Sequence, residues 1–245
     1  MTRRSVFMLF EVLFWPCVWL VSVGLLTRFL ELRQEMVAYV LVGVISMSII
    51  QVCHLDVAFA LLLDLWAKSM KHQFLAPIHQ GHLLLGHWLM GVLRGIGVFA
   101  LLAVFSAHAF GFDFLRAGVG PLALFLLGLF LNAAAIGVVV CILILQYGHR
   151  AEVAAWSLVS LMMLVCGIYY PVTLLPGAVR WLAELLPLTY FLEAFRAYYG
   201  FQPLYAHSLL KGYALTAAYL VGLLVLFQWG LNRARRTGLL LKLSE

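Results

Sequence analysis

Charge is what this chain has least of. Asp, Glu, Lys and Arg make up 11% of its 245 residues, against 65% that are apolar. A water-soluble domain carries charge on about a quarter of its residues, so that class is excluded, and no polar run is long enough to hide one. Cysteine is sparse too: Cys17, Cys53, Cys141 and Cys166 all fall in apolar segments without CxxC spacing. They support neither a metal site nor a disulfide framework and read as packing residues. GxxxxGK[ST], HExxH and GxSxG are absent, so the chain has no P-loop with which to cradle nucleotide phosphates, no zincin helix and no nucleophile elbow. His79 and His82, with His72 and His87 nearby, could in principle ligate a metal. Pro77 and Gly81 disfavour a helix there and no carboxylate is close, so histidines at headgroup level are the better account and no metal site is expected.

What is present is a succession of long apolar runs, and the chain reads as an all-α polytopic membrane protein. Six spans are expected, at about 6–27, 36–56, 82–105, 121–145, 152–172 and 208–231. The first is read as a retained span rather than a cleaved signal peptide, because no small-residue cleavage site follows Arg3-Arg4 and the apolar segment. The second stays apolar as far as Leu63, interrupted by Gln51, His54 and Asp56. A helix of that length exceeds the hydrocarbon core of about 30 Å, so its end should project into water.

Asp64 to Pro77 follows as an amphipathic link, with charges at Asp64, Lys68 and Lys71 and apolar Leu65, Trp66 and Met70. It is either an interfacial helix anchored by Trp66 or a docking element for a soluble partner. In the third span Arg94 lies near the middle, flanked by Gly91 and Gly95. A cation at that depth costs at least about 2.5 kcal/mol and must face the bundle, a partner or a water-filled cavity.

Lys and Arg number nine on the side of the N-terminus and six on the other, with Arg94 between. That excess places both termini in the cytoplasm of a bacterial-type plasma membrane. The net charge of +6 and the tail Arg233-Ala234-Arg235-Arg236 then reflect insertion topology and anionic lipid, and no nucleic-acid partner is expected.

Between spans five and six lies the stretch richest in prolines, aromatics and paired charges. Pro171, Pro176 and Pro187 divide it into two short helices, 176–186 and 188–199. Each is too short to cross a bilayer, so a re-entrant or interfacial pair on the outer side is expected. Arg180 and Glu184 are four apart and Glu193 and Arg196 three apart, so each couple shares a helix face. The couples are either exposed ion pairs or partnered charges that mark a transport route. The surrounding aromatics, Tyr169, Tyr170 and Tyr190 among them, form an interfacial belt or line an exit path.

Several of these segments resemble a known family. Tyr170-Pro171-Val172, Leu175-Pro176 and Leu186-Pro187-Leu188-Thr189-Tyr190 with Glu193 and Arg196 look like the C-terminal signature of ABC type-2 exporter permeases. Asp64, Lys68 and Lys71, then Leu75-Ala76-Pro77-Ile78 and Leu85-Gly86, resemble that family's cytoplasmic coupling region, and Phe14-Trp15-Pro16 is similar to one of its branches. The resemblance implies a permease that pairs with a second copy, as a homodimer, and binds two ABC ATPase subunits. No cofactor is expected in this chain, since ATP and Mg would sit on the ATPase. It further implies a coupling helix between spans two and three in which Asp64, Trp66, Lys68, Lys71 and Pro77 meet the ATPase. Arg94, Tyr169, Tyr170, Tyr190, Glu193 and Arg196 become candidates for the pathway or an interface, and the cargo a hydrophobic, lipid-linked or drug-like molecule carried outward. Two other readings stay open: a membrane-embedded enzyme using Glu193 and Arg196 or the His79/His82 region, and an assembly protein with no cargo.

Overall fold

The computed structural model describes residues 2–69 and 80–236. Among them the secondary structure is helical throughout, without strands. The α-helices are α1 (Thr2–Phe29), α2 (Gln34–Trp66), α3 (Gln80–Phe110), α4 (Val119–Tyr147), α5 (Glu152–Val165), α6 (Gly177–Leu185), α7 (Pro187–Arg196) and α8 (Ser208–Arg236). Single 3-10 turns lie at Phe114–Ala117, Gly148–Ala151, Val172–Leu174 and Ala197–Tyr199.

Of the six expected spans, α2, α3, α4 and α8 are long and apolar enough to cross a bilayer. Helix α1 runs 28 residues straight through Pro16. Helix α5, expected to reach residue 172, ends at Val165 after 14 residues, roughly 21 Å at 1.5 Å per residue and short of a hydrocarbon core. The reason is local. Gly167 takes a φ of +72°, a left-handed conformation that ends the helix, and Pro171 is itself extended, ahead of the 3-10 turn Val172–Leu174. The two short helices fall close to where the prolines put them, with Pro187 at the first position of α7.

The bundle is organised around α2. Its apolar window is 78% buried, against 28% for α3 and 11% for α8, and it packs on α1, α3, α4, α5 and α7. Such a helix is apolar all round, as α2 is with buried residues on every face. Helix α3 comes close to it: a Cβ on Gly91 would sit 2.9 Å from the Cys53 carbonyl oxygen of α2, so glycine is what lets these backbones meet.

The turn from α3 to α4 is held by Asp113, whose carboxylate accepts the Leu115 N–H at 2.8 Å. Helix α4 begins at Val119, two residues before the expected Pro121, which sits in the first turn where its missing N–H costs nothing.

Candidate functional site

Four polar contacts are strung along α2, and together they mark out the parts of the molecule that can carry a function. The first is at its C-terminal end. Asp64 and Trp66 belong to the last turn of α2 rather than to a separate amphipathic helix. The chain then turns sharply: Ser69 N–H bonds the Asp64 carbonyl at 2.8 Å and Lys68 N–H the Leu65 carbonyl at 3.3 Å, with Lys68 at a φ of +54°. This is the Schellman closure of a helix, with lysine where glycine is usual. The Ser69 hydroxyl adds a 2.6 Å bond to the Asp64 carboxylate. Lys71 and Pro77, the other expected coupling residues, lie outside the described residues, as do His72 and His79. The Trp66 indole N–H donates to Glu152 Oε2 at 3.2 Å, reaching the first turn of α5.

The second contact is an ion pair at mid-helix. Arg94 of α3 places Nη1 2.6 Å from Asp56 Oδ1 of α2, with the arginine side chain 30% exposed and the aspartate 7%. Asp56 Oδ2 has no hydrogen-bond partner. The expectation that Arg94 faces the bundle is met through a residue that stood in the sequence only as a polar interruption. The signal was there: Asp56, at the end of the second expected span, and Arg94, near the middle of the third, carry opposite charges in two consecutive helices, and helical side chains lean toward their own N-termini.

The third is His54, fully buried, with Nδ1 3.0 Å from the Ile50 carbonyl and Nε2 2.9 Å from the Ala155 carbonyl of α5. The fourth surrounds Arg196. Although it shares a helix face with Glu193, the two form no ion pair. Instead Arg196, 1% exposed, donates from Nη1 to the Gly167 carbonyl at 2.7 Å. Its Nη2 donates to the carbonyls of Ile168 at 2.9 Å and Tyr39 at 3.0 Å. The guanidinium lies 3.4 Å over the Tyr39 ring, and the Tyr39 hydroxyl donates to the Gly167 carbonyl at 3.2 Å. The carbonyls that α5 leaves bare when it stops are thus covered. A Cβ on Gly43 would sit 2.2 Å from the Ile168 oxygen, so glycine is what lets this segment press on α2.

The expected pathway tyrosines serve the same break. The Tyr170 hydroxyl donates to the Leu164 carbonyl, and Tyr169 rests its hydroxyl 3.5 Å from the Met163 sulfur. Tyr190, 8% exposed, donates to the Glu184 carbonyl at 2.8 Å, joining α7 to α6. Arg180 and Glu184 do pair, at 3.2 Å, on a half-exposed surface. Glu184 also accepts from the Tyr205 hydroxyl at 3.0 Å, and burial with that carboxylate pushes the Tyr205 phenol up to about 12. Glu193 accepts the Leu204 N–H at 3.3 Å. Burial raises its carboxyl above the usual range, opposed by that N–H and by nearby Arg196.

Among the described residues no group of three or more His, Cys, Asp or Glu could hold a metal. The contacts brace helices against one another, and none is assembled as a nucleophile with a base.

Comparison with known proteins fits this picture. An uncharacterized protein of Archaeoglobus fulgidus is 53% identical over 38 residues, 16% of this chain. The match spans 59% of that relative's length. The family model described as ABC-2 type transporter matches residues 1–199, which take in α1 to α7 and the turn after them. The chain belongs to the ABC-2 type transporter family, as a multi-pass membrane protein.

Proposed function

We propose that this chain is the permease subunit of an ATP-driven exporter in a bacterial-type plasma membrane, with both termini cytoplasmic. Two copies pair and carry two ABC ATPase subunits, which hold the ATP and Mg. The cargo is a hydrophobic, lipid-linked or drug-like molecule, moved outward. The observation that carries this reading is the family match over residues 1–199.

The geometry supplies a mechanism. The ATPases meet the link after α2 through Asp64, Trp66, Lys68, Lys71 and Pro77. Helix α2 is continuous from Gln34 to Trp66, so a push at its C-terminal end arrives at its N-terminal end as a rigid displacement. There Tyr39 holds Arg196, and Arg196 holds α7. Closure of the ATPases on ATP therefore reaches the outer helix pair through one helix. In this reading Arg196, Glu193, Tyr169, Tyr170 and Tyr190 shape and hold the outer pair, while Arg94, its side chain 30% exposed, is the pathway or interface candidate.

The test reverses charge at the docking link. Lys68→Glu with Lys71→Glu is expected to lower ATPase co-purification at least tenfold while the permease still folds. Unchanged association and ATP turnover would rule out docking through this link.

A further inference from the structure

The start of α5 has no role in the mechanism above, yet it is tied to the end of α2 that meets the ATPase. Trp66 is the last residue of α2 and 44% exposed. Its indole N–H donates to Glu152 Oε2, 86 positions away. Behind that bond Ala151 and Ala155 are buried in one apolar cluster with Leu61, Leu62 and Leu65 of α2. Deeper in, His54 Nε2 bonds the Ala155 carbonyl. Past the far end of α5, Arg196 clamps the Gly167 and Ile168 carbonyls beside Tyr39. Helix α2 thus grips α5 at both ends. With 14 residues, α5 is too short to be positioned by a full crossing of its own.

We infer that Glu152 is a positioning residue of the transport cycle: by holding Trp66 it fixes the start of α5 to the ATPase-facing end of α2, so that α5 and the segment leading into the outer helix pair follow α2. This rests on the permease reading and adds to it a residue and a second route for the stroke. Of the contacts between α2 and α5 it is the one at the aqueous edge, where an ATPase would push. The acceptor is a side-chain oxygen that must reach across from α5 to the Trp66 indole, 3.2 Å away, so its reach decides whether the bond can form.

A carboxylate in the first turn of a helix also has an ordinary explanation, since it suits the positive end of the helix dipole. Two variants separate the roles. Glu152→Asp keeps the charge at the helix start but draws the carboxylate back by one methylene. Glu152→Gln keeps the reach and an accepting oxygen but loses the charge.

The experiment uses the complex of permease and ATPase in lipid nanodiscs, with the four native cysteines replaced. Spin labels go on cysteines introduced at Leu174, 72% exposed beyond α5, and Val119, 77% exposed at the start of α4. The distance between them is read by pulsed EPR with and without Mg-ATP plus vanadate. In Glu152→Asp and Glu152→Ala the nucleotide-dependent change is expected to fall below half that of the unmutated complex. Glu152→Gln should retain it, and ATPase binding and turnover should persist in all three. An unaltered distance change in both the Asp and Ala variants overturns the inference. So does loss of the ATPase from the variants, which would make Glu152 a docking residue, and so does loss in Gln with retention in Asp, which would reduce it to dipole compensation. No nucleotide-dependent change in the unmutated complex would instead sink the permease reading beneath it.

Discussion

A guanidinium sealed inside an apolar bundle needs acceptors, and Arg196 finds them in the backbone for Nη1 and Nη2, while its Nε has no hydrogen-bond partner. Its three hydrogen bonds cover the Gly167, Ile168 and Tyr39 carbonyls, two of which were exposed when α5 stopped. Non-helical backbone is tolerated at membrane depth only where the protein covers it. Arg196→Met keeps apolar bulk but removes every donor. The Tyr39 hydroxyl still covers the Gly167 carbonyl, so at about 1–3 kcal/mol for each of the two other acceptors the variant should lose about 2–6 kcal/mol of stability, read as a lowered unfolding midpoint in mild detergent. Arg196→Lys should recover only part of it, since one ammonium cannot span carbonyls that the planar fork reaches together.

Glu193 makes a pH prediction of the opposite kind. Its folded carboxyl sits above the unfolded value of 4.5, so the folded state binds the proton more tightly and its ionised form is a cost at neutral pH. Glu193→Gln keeps an acceptor for Leu204 and should be more stable than the parent at pH 8. The advantage should close as pH falls below the raised pKa toward 4.5, which unfolding curves at several pH values would show. The spacing of Glu193 and Arg196 revealed in the sequence that they share a face. It could not reveal that Arg196 would choose carbonyls instead, because a carbonyl left bare by a broken helix has no side-chain signature.

Among the elements, α2 and α3 are held together by the Gly91 approach and by Asp56–Arg94. A pair this buried stabilises little in itself, yet breaking one side leaves the other charge stranded. Arg94→Met is expected to cost about 3–5 kcal/mol, and the double change with Asp56→Leu much less than the sum of the two singles, a coupling that a double-mutant cycle measures directly. Additive losses would mean that the two residues do not support each other.

Most elements were legible from the sequence because hydrophobic length and proline speak plainly. α2, α3, α4 and α8 follow from apolar runs, and α6 and α7 from Pro176 and Pro187. The early end of α5 was not legible, since 153–170 carries no charge to mark a boundary and the stop depends on a left-handed Gly167 supported by Arg196 from 29 positions away. Helix α2 ends at Trp66, three residues past the apolar run to Leu63. A lysine at a positive φ closes that helix, and lysine is not a stop signal. Asp56, Glu152, His54 and Tyr39 act through partners 38 to 157 positions distant, beyond any local pattern.

At the scale of the whole molecule, one central helix is nearly sealed while α3 and α8 turn apolar faces outward, among them Leu93, Val104, Leu210, Val221 and Val225. Those faces suit lipid or a neighbouring helix, and the sealed α2 suits a rod that carries movement between the two membrane surfaces. The proposed coupling requires that an ATPase work on the C-terminal end of α2. The direct measurement is to express the chain with its neighbouring genes, purify it by a tag in mild detergent, and assay for a bound subunit that hydrolyses ATP. The account predicts an ABC ATPase that stays with the permease and turns over ATP. A folded permease that emerges alone and inert to ATP would contradict it.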